Sequence, residues 1–470
     1  MDAAARFLTA ALVLAGVRAA PSMAAPDAQG SADRDPEATR LLADLLRMDT
    51  SNPPGREAEA ARLVAGWCRK EGLETTLVED TPGRASVVAR LPGTGRQPPL
   101  LLLSHLDVVP ARPERWQHPP FGGVVSNGRL WGRGALDMKG MTVMEFLAVA
   151  RLRREGRKPD RDLILAAVAD EEAGGTHGVE SLLARHPGLL TASECLNEGG
   201  FGLVARDGKP LVGLSVAERG TFWVRVTARG RAGHGSVDRP DSATRRLLRA
   251  LDRLERTPRP LALVPEADAL LGALAPTLPW PSSWVLQILR WPGMTRLLGP
   301  LVIAREPALA AALGPTVNPT VLVAGEKVNV IPGAAAAEID MRTMPGQEGA
   351  GALAWLKGAL GDETLELTVL QDRPGTRSPA SGPLWEALVT TLRRHVPDAR
   401  TTAMLTPAGT TDSASLRKHG ISCIGLIPVV ADQDQLETIH GDNEWIGLDQ
   451  LATGTRIVAE AVARASGVSP

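Results

Sequence analysis

Two uninterrupted apolar runs constrain the fold of this chain more than any other feature. PLLLLSHLDVVP at residues 99–110 opens with four consecutive leucines, and DLILAAVA covers residues 162–169. A strand that is apolar at every position has both faces covered, which is typical of parallel sheets flanked by helices. Between them, MTVMEFLAVARLRREG at residues 141–156 has helical spacing. We therefore predict an α/β fold with a mainly parallel sheet.

The pattern changes near residue 215, where GTFWVRVTARG alternates between apolar and polar positions. Such alternation is typical of an antiparallel strand with one covered face. With the helices and strands that follow, it gives the order βαββαβ of a ferredoxin-like α+β sandwich, interrupted by a Pro-rich apolar insert at about residues 258–315. We predict a signal peptide at 1–25, a catalytic domain at 36–214 and 377–470, and an inserted domain at 215–376.

Composition and the amino terminus restrict the possible partners and the location. The 470 residues carry a formal net charge of −1, which gives no electrostatic basis for binding nucleic acid or an anionic membrane surface. The apolar run FLTAALVLAGV at residues 7–17 precedes small residues and is shorter than the roughly 20 residues that span a bilayer. This pattern favours a secretory signal peptide over a disordered Ala-rich start. We expect an exported protein, periplasmic or secreted, without a membrane span in its mature form.

His105 and Asp107 lie at the end of the first apolar run, and Asp137 lies in the turn before the helix. His105 and Asp107 are two apart in a strand and so share a face. A carboxylate on one imidazole nitrogen would fix the tautomer that leaves the other free for a metal. Asp137 lies in the Gly-rich turn GRGALDMKG, where it could instead be an ordinary helix N-cap. Either reading is open from these residues alone.

More acids follow the other predicted strands. Asp170, Glu171 and Glu172 come directly after the second run, Glu198 follows a short apolar segment, and His440 lies in a loop before the last helix. Each could be solvated surface, but ligands of open α/β sheets collect at the carboxyl ends of the strands. The set suits zinc-type cations, which would offset the repulsion between adjacent acids. Two such ions about 3.5–4 Å apart would need a shared carboxylate.

Six motifs occur in one order along the chain: SHLDVVP, GRGALDMKG, DEEAGG, NEGG, GHGS and IHGDNEWI. With them the chain, from about residue 36 to its end, resembles the dizinc metallopeptidases and amidohydrolases. That family includes aminoacylase-1, glutamate carboxypeptidase, succinyl-diaminopimelate desuccinylase and carboxypeptidase S. The resemblance implies two Zn²⁺ per chain, with Co²⁺ or Mn²⁺ as possible substitutes.

The resemblance also implies a role for individual residues. The metal ligands would form two sets that share one carboxylate: His105 and Glu198, Glu172 and His440, and the shared Asp137. Glu171 would be the general base, and Asp107 the carboxylate that orients His105.

The residues implied in substrate binding are His234, Asn318, Asn329, Arg342, Gly409 and Thr410. His234 would reach the active site of a partner subunit, which implies a homodimer. The loop before Thr410 departs from the family pattern, because Ala408 stands where relatives often have glycine. Without the resemblance, His234, Asn329 and Arg342 would be read as ordinary loop, turn and strand-end residues.

The expected activity is hydrolysis of an amide bond next to a free carboxylate by zinc-activated water. The enzyme would be a carboxypeptidase or dipeptidase, or an N-acyl amino acid amidohydrolase, and the long apolar insert favours a hydrophobic acyl side. The alternatives are a desuccinylase-type deacylase of a small anionic substrate and a non-catalytic relative.

Overall fold

The computed structural model describes residues 34–306, 309–406 and 409–469, so the predicted signal peptide lies outside the described residues. The chain divides into two compact units. The first comprises residues 34–216, 269–287 and 377–469, and the second comprises residues 217–268 and 288–376. Within the described ranges, no helix is both long and apolar enough to cross a membrane.

The strands, numbered along the chain, are β1 Glu74–Thr81, β2 Arg84–Leu91, β3 Leu100–His105, β4 Val124–Ser126, β5 Arg129–Trp131, β6 Leu163–Val168, β7 Glu194–Asn197, β8 Phe201–Val204, β9 Pro210–Glu218, β10 Gly220–Arg229, β11 Gly233–His234, β12 Thr316–Ala324, β13 Val330–Ile331, β14 Ala334–Thr343, β15 Glu366–Arg373, β16 Thr376–Arg377, β17 Arg400–Thr406, β18 Ser422–Gly425, β19 Val430–Ala431 and β20 Trp445–Gly447.

The α-helices, also in chain order, are α1 Pro36–Leu46, α2 Glu57–Lys70, α3 Lys139–Arg154, α4 Val179–Arg185, α5 Ala243–Arg256, α6 Pro265–Leu274, α7 Ser282–Leu289, α8 Met294–Arg305, α9 Ala310–Leu313, α10 Gly349–Leu360, α11 Pro383–His395, α12 Ser413–Lys418, α13 Gln433–Leu436 and α14 Leu448–Ala465. Short 3-10 turns lie at Pro113–Arg115, Glu171–Ala173 and Ala275–Thr277.

The first unit is built on an eleven-stranded sheet whose centre is parallel. Strands β6, β3, β7 and β18 lie side by side in parallel, and antiparallel strands extend the sheet at both edges. The four leucines of β3 are fully buried, as expected for a strand covered on both faces. His105 pairs with Val168, so β3 and β6 end at the same edge of the sheet. The predicted α/β fold with a mainly parallel central sheet is confirmed.

The second unit contains a four-stranded antiparallel sheet in the order β12–β14–β10–β15. Helices α5 and α10 contribute the apolar core of this unit with the inward side chains of β10 and β14, for example Leu247 and Leu356 against Val224 and Ile339. The order βαββαβ and the strand order 2-3-1-4 are those of a ferredoxin-like sandwich. Residues 258–315 form helices α6 to α9 between α5 and β12.

Candidate metal centre

Carboxylates and imidazoles of the first unit meet in two triads that share Asp137. The first triad is His105, Asp137 and Glu198, and the second is Asp137, Glu172 and His440. In each triad the potential ligand atoms lie within 4.8 Å of one another. Asp137 Oδ1 is 3.1 Å from His105 Nε2, and its Oδ2 is 3.0 Å from His440 Nε2. The two carboxylate oxygens of Asp137 therefore face different triads.

Three adjacent parallel strands supply ligand atoms because they end at one edge of the sheet. His105 ends β3, Glu172 follows β6, and Glu198 follows β7. Glu198 Oε1 lies 3.8 Å from His105 Nε2, and Glu172 Oε1 lies 3.1 Å from His440 Nε2. This is the carboxyl edge at which open α/β sheets bind ligands.

The turn that carries Asp137 is fixed by a buried glutamate, Glu444. Its carboxylate accepts hydrogen bonds from the backbone N–H groups of Gly134, Leu136 and Asp137 at 2.8–3.1 Å. The Arg133 guanidinium donates to the same carboxylate at 2.7 Å, so the buried charge is paired. Because Glu444 belongs to IHGDNEWI, it links the Asp137 turn to the loop that carries His440.

Glycine is required where this turn bends. Gly134 has φ +92°, in the left-handed region, and a Cβ there would lie 2.9 Å from Val108 Cγ1. Two residues after Asp137, the fully buried Lys139 donates from Nζ to the carbonyl oxygens of Leu45 and Met48, and burial lowers the pKa of Lys139 to about 7. The turn is therefore held on both sides of Asp137.

Asp107 contacts His105, which it was predicted to orient, and also the backbone of Glu171 and Glu172. His105 Nδ1 lies 2.9 Å from the backbone carbonyl oxygen of Asp107 and 3.5 Å from its Oδ1. The carbonyl oxygen is the closer acceptor for Nδ1, and Nε2, on the other side of the ring, lies in hydrogen-bond contact with Asp137 at 3.1 Å. The Asp107 carboxylate accepts the N–H groups of Glu171 and Glu172, both at 3.1 Å, and the amide of Asn52 at 2.8 Å.

The acid run at residues 170–172 is divided between two environments. Glu172 joins a triad, whereas Asp170 is buried and accepts a hydrogen bond from Arg84 Nη2 at 2.6 Å. Arg84 also binds Glu57 through two hydrogen bonds of 2.8 Å, and Asn52 bridges Asp170 to Asp107. The positive charge that stabilises Asp170 is thus a buried arginine rather than a metal ion.

Burial and mutual repulsion dominate the electrostatics of the centre. Burial, followed by the negative charge of Glu198, raises the pKa of Glu171 well above its usual range. Burial and the charge of Asp137 also raise the pKa values of Glu172 and Glu198. Burial lowers the pKa of His440, but its hydrogen bonds with Asp137 and Glu172 outweigh this and raise that pKa to about 12.

The donor set fits divalent cations of the zinc type. Each triad offers one imidazole nitrogen and two carboxylate oxygens, which are ligands that zinc accepts. Acids outnumber imidazoles around Asp137, and divalent cations would offset the repulsion between these carboxylates. The outer carboxylates and amides that hold Asp137 and Glu172 match the support that metal ligands usually receive.

The second unit carries four of the residues implied in substrate binding, and most of them are exposed. His234 pairs with Val330 in the two-stranded ladder β11–β13, which brings it beside Asn329. Ser236 N–H donates to His234 Nδ1 at 3.2 Å, and Gly235 N–H donates to the Asn329 carbonyl oxygen at 2.8 Å. Both His234 and Asn329 are exposed.

Asn318 and Arg342 lie on neighbouring strands of the antiparallel sheet. Asn318 is exposed on β12 opposite Asp340, and Arg342 is two residues further along β14. Arg342 donates from Nε and Nη2 to Asp340 at 2.9 and 3.1 Å, and from Nη1 to Thr221 Oγ1 at 3.2 Å. The arginine therefore already has an internal carboxylate partner.

Gly409 and Thr410 belong to the first unit, in the loop after β17, and are half-buried; Ala408 lies outside the described residues. Residues 411–413 continue this loop and are hydrogen-bonded to β7, the strand that precedes Glu198. The Asn197 amide donates to the hydroxyls of Thr411 and Ser413 at 3.3 and 2.9 Å. Asp412 is buried, and its charge adds to the repulsion felt by Glu171 and Glu198.

Sequence reasoning missed the buried charged and polar residues around the proposed ligands: Asn52, Glu57, Arg84, Lys139, Asp412 and Glu444. Only Lys139 and Glu444 could have been noticed in the sequence, because each is a charged residue near a proposed ligand within GRGALDMKG or IHGDNEWI. Asn52 and Arg84 meet Asp170 across 118 and 86 residues of chain, which no local pattern reveals.

Two triads of potential ligands at the carboxyl edge of a parallel sheet, with a further acid beside them, are typical of metal-dependent hydrolases. A family model described as peptidase family M20/M25/M40 matches residues 101–464. The chain is 30% identical to the N-fatty-acyl-amino acid synthase/hydrolase PM20D1 of Homo sapiens over 378 residues, which cover 78% of this chain and 74% of that protein. It is 28% identical to aminoacylase-1 of Mus musculus over 433 residues, which cover 88% of this chain and 95% of that protein.

Among solved structures, an M20 family metallo-carboxypeptidase, Sso-CP2 from Sulfolobus solfataricus, has the same fold. The TM-score is 0.65 at 19% identity, and the match covers 92% of this chain and 100% of that chain. The chain belongs to peptidase family M20/M25/M40, and it is a metal-dependent hydrolase of amide bonds.

Proposed function

We propose that this enzyme hydrolyses an amide bond next to a free carboxylate, in a peptide or an N-acyl amino acid, at a centre of two metal ions. The observation that carries the proposal is the position of the Asp137 carboxylate. Its Oδ2 lies 3.0 Å from His440 Nε2 in one triad, and its Oδ1 lies 3.1 Å from His105 Nε2 in the other. A carboxylate in this arrangement is suited to bridge two cations. His105 and Glu198 would complete one site, and Glu172 and His440 the other.

The chemistry of the residues follows from their positions. Two zinc-type ions would activate a water molecule and polarise the scissile carbonyl. Glu171 would accept the proton of that water and return it to the leaving amine. Its backbone is fixed by the hydrogen bond from its N–H to Asp107, and its neighbour Glu172 is a proposed ligand. Adjacent glutamates would then divide proton transfer and metal binding between them.

His234 would stabilise the negative oxygen of the tetrahedral intermediate. Its Nδ1 accepts the N–H of Ser236, so the ring proton is carried by Nε2, which is the donor that an oxyanion requires. His234 is exposed on its own chain, and we propose that it acts at the active site of a partner subunit. The catalytic unit would then be a homodimer.

The substrate carboxylate would be bound by Arg342, with Asn318 and Asn329 contributing amide groups. Arg342 has the planar guanidinium that binds carboxylates in a bidentate manner. Because Asp340 occupies its Nε and Nη2 in the structure, a substrate carboxylate would replace that partner. Gly409 and Thr410 would line the substrate site from their half-buried loop.

The names of the relatives support the substrate class. One is called an N-fatty-acyl-amino acid synthase/hydrolase and another an aminoacylase, and both fit an acyl group on an amino acid nitrogen. The apolar residues 258–315 favour a hydrophobic acyl side over the small anionic substrate of a desuccinylase. We also propose export, periplasmic or secreted, on the basis of the apolar run at residues 7–17.

The direct test is release of free amino acid by the zinc-loaded mature protein. The substrates are dipeptides, long-chain N-acyl amino acids and N-succinyl diaminopimelate, each beside its carboxamide analogue, with Glu171→Gln as the matched inactive variant. We expect wild type alone to cleave the N-acyl amino acids or dipeptides and to prefer the free carboxylate. Preference for the succinyl substrate would support the desuccinylase alternative, and equal cleavage of the carboxamides would contradict a carboxylate site.

A further inference from the structure

Helix α8 exposes leucines where a helix of a soluble domain normally buries them. Leu297 and Leu301 are 68% and 64% exposed, and Trp291, just before the helix, is 60% exposed. Pro300 and Ala304 are exposed as well, so positions 297, 300, 301 and 304 form one apolar face. Single exposed leucines are common, but a continuous apolar face marks an interaction site.

The orientation of this helix is fixed by its opposite face. Thr295 and Gly299 are buried, and the Thr295 hydroxyl donates to the Leu289 carbonyl oxygen at 2.7 Å. At Gly299 a Cβ would lie 2.7 Å from Leu261 Cδ1, so a larger residue there would displace the Leu261 side chain. Rotating the helix to bury Leu297 and Leu301 would lose both contacts. The exposed apolar face is therefore built into the packing.

The exposed charged residues of helix α8 are both arginines, and the half-buried Glu306 directly follows the second of them. Residues 269–305 contain three arginines, Arg290, Arg296 and Arg305, and no Asp, Glu or Lys. Arg290 pairs with Asp268 at 2.7 Å. Arg296 and Arg305 are exposed at either end of the apolar face, and neither is in an ion pair with any residue that the structure describes.

We propose that helix α8 with Trp291 binds the interface of an anionic lipid surface. Leucines would enter the acyl boundary, tryptophan would lie at the headgroup level, and the two arginines would contact anionic headgroups. A symmetric contact between two copies would instead bring the arginines of one face against those of another. The proposal does not depend on the amide chemistry, since it concerns a surface and not the metal centre.

The experiment is co-flotation of the mature protein with phosphatidylcholine vesicles, with and without phosphatidylglycerol. The double variant Leu297→Gln/Leu301→Gln tests the apolar face, and Arg296→Gln/Arg305→Gln tests the charge. The matched control is Leu248→Gln, because Leu248 is a single exposed leucine on α5, 58% exposed. All four targeted side chains are exposed, so the melting temperature should stay at the wild-type value, and this is measured in parallel.

We expect wild type and the Leu248 variant to float with the anionic vesicles. The leucine double variant should bind at least ~10-fold more weakly, and the arginine double variant should lose the preference for phosphatidylglycerol. Failure of wild type to float with either vesicle, or wild-type binding by the leucine variant, would overturn the proposal. So would a dimer, seen by sedimentation velocity, that only the leucine variant dissociates, because the face would then be a contact between copies.

Discussion

The two units carry their functional residues in opposite ways. In the first unit His105 is 1% exposed, Asp107 is fully buried, and His105, Asp137 and Glu172 each form a hydrogen bond with a further residue that holds them. In the second unit His234, Asn318 and Asn329 are exposed on or beside strands β11, β12 and β13. The difference shows that the proposed metal ligands are held by contacts within one chain, whereas the three substrate residues that we propose in the second unit are exposed on their own chain.

The largest expected effect separates the adjacent glutamates. Glu171→Gln should lower kcat by about 10²–10⁴-fold while metal content stays at the wild-type level, because only proton transfer is lost. Glu172→Gln should instead lower the metal content, because it removes a ligand oxygen from the triad with His440. Inductively coupled plasma mass spectrometry and initial rates measure the two effects. Loss of metal from the Glu171 variant would remove the distinction between base and ligand.

The next effect tests whether the second unit acts across a dimer. His234→Ala should lower kcat by about 10²–10³-fold, as does loss of one oxyanion donor in other enzymes. Mixing this variant with Glu171→Gln should then restore about a quarter of wild-type activity, since half of the dimers are mixed and one of their two sites is complete. Subunits are exchanged in mild denaturant and refolded, and each variant alone is the control. If His234 acts within its own chain, no activity will return.

A third effect compares a buried ion pair of the first unit with an exposed pair of the second. Arg84→Met leaves Glu57 and Asp170 buried without their partner and should lower the free energy of unfolding by about 3–5 kcal/mol. Arg225→Met removes a half-exposed partner of Glu338 on β10 and should cost less than about 1 kcal/mol. Urea denaturation of both variants decides this, and equal losses would show that the buried network contributes nothing special.

The smallest effect concerns the outer support of the ligands. Asn52→Ala removes the amide that donates to both Asp107 and Asp170, and should weaken metal binding by about 10–100-fold. Asn52→Asp should weaken metal binding further, because it would replace the amide donor by a third carboxylate beside those of Asp107 and Asp170. Competition with a chromophoric chelator measures both affinities. An aspartate variant that binds metal as well as wild type would show that Asn52 does not position Asp107.

The sequence could group the proposed ligands but could not identify the residues that hold them. The apolar runs before His105 and Glu172 mark strands, and strands that are parallel end at one edge, so their polar ends could be grouped without coordinates. The order of strands and helices in residues 215–376 could also be predicted, because apolar residues recur with different periods in strands and in helices. By contrast, the contacts of Arg84 with Asp170 and of Asn52 with Asp107 join residues that are distant in sequence, so they depend on the tertiary fold. The exposed face of α8 likewise depends on tertiary packing, that of Gly299 against Leu261.

The central claim, that Asp137 bridges two metal ions, is tested most directly by counting the ions bound by four proteins. After dialysis against limiting Zn²⁺, mass spectrometry under native conditions should give two ions per chain for wild type. It should give one for His440→Ala and one for Glu198→Gln, because each removes a ligand from a single triad. Asp137→Ala should bind neither ion tightly, since it takes an oxygen from both. A single ion in wild type, or two ions retained by Asp137→Ala, would contradict the account.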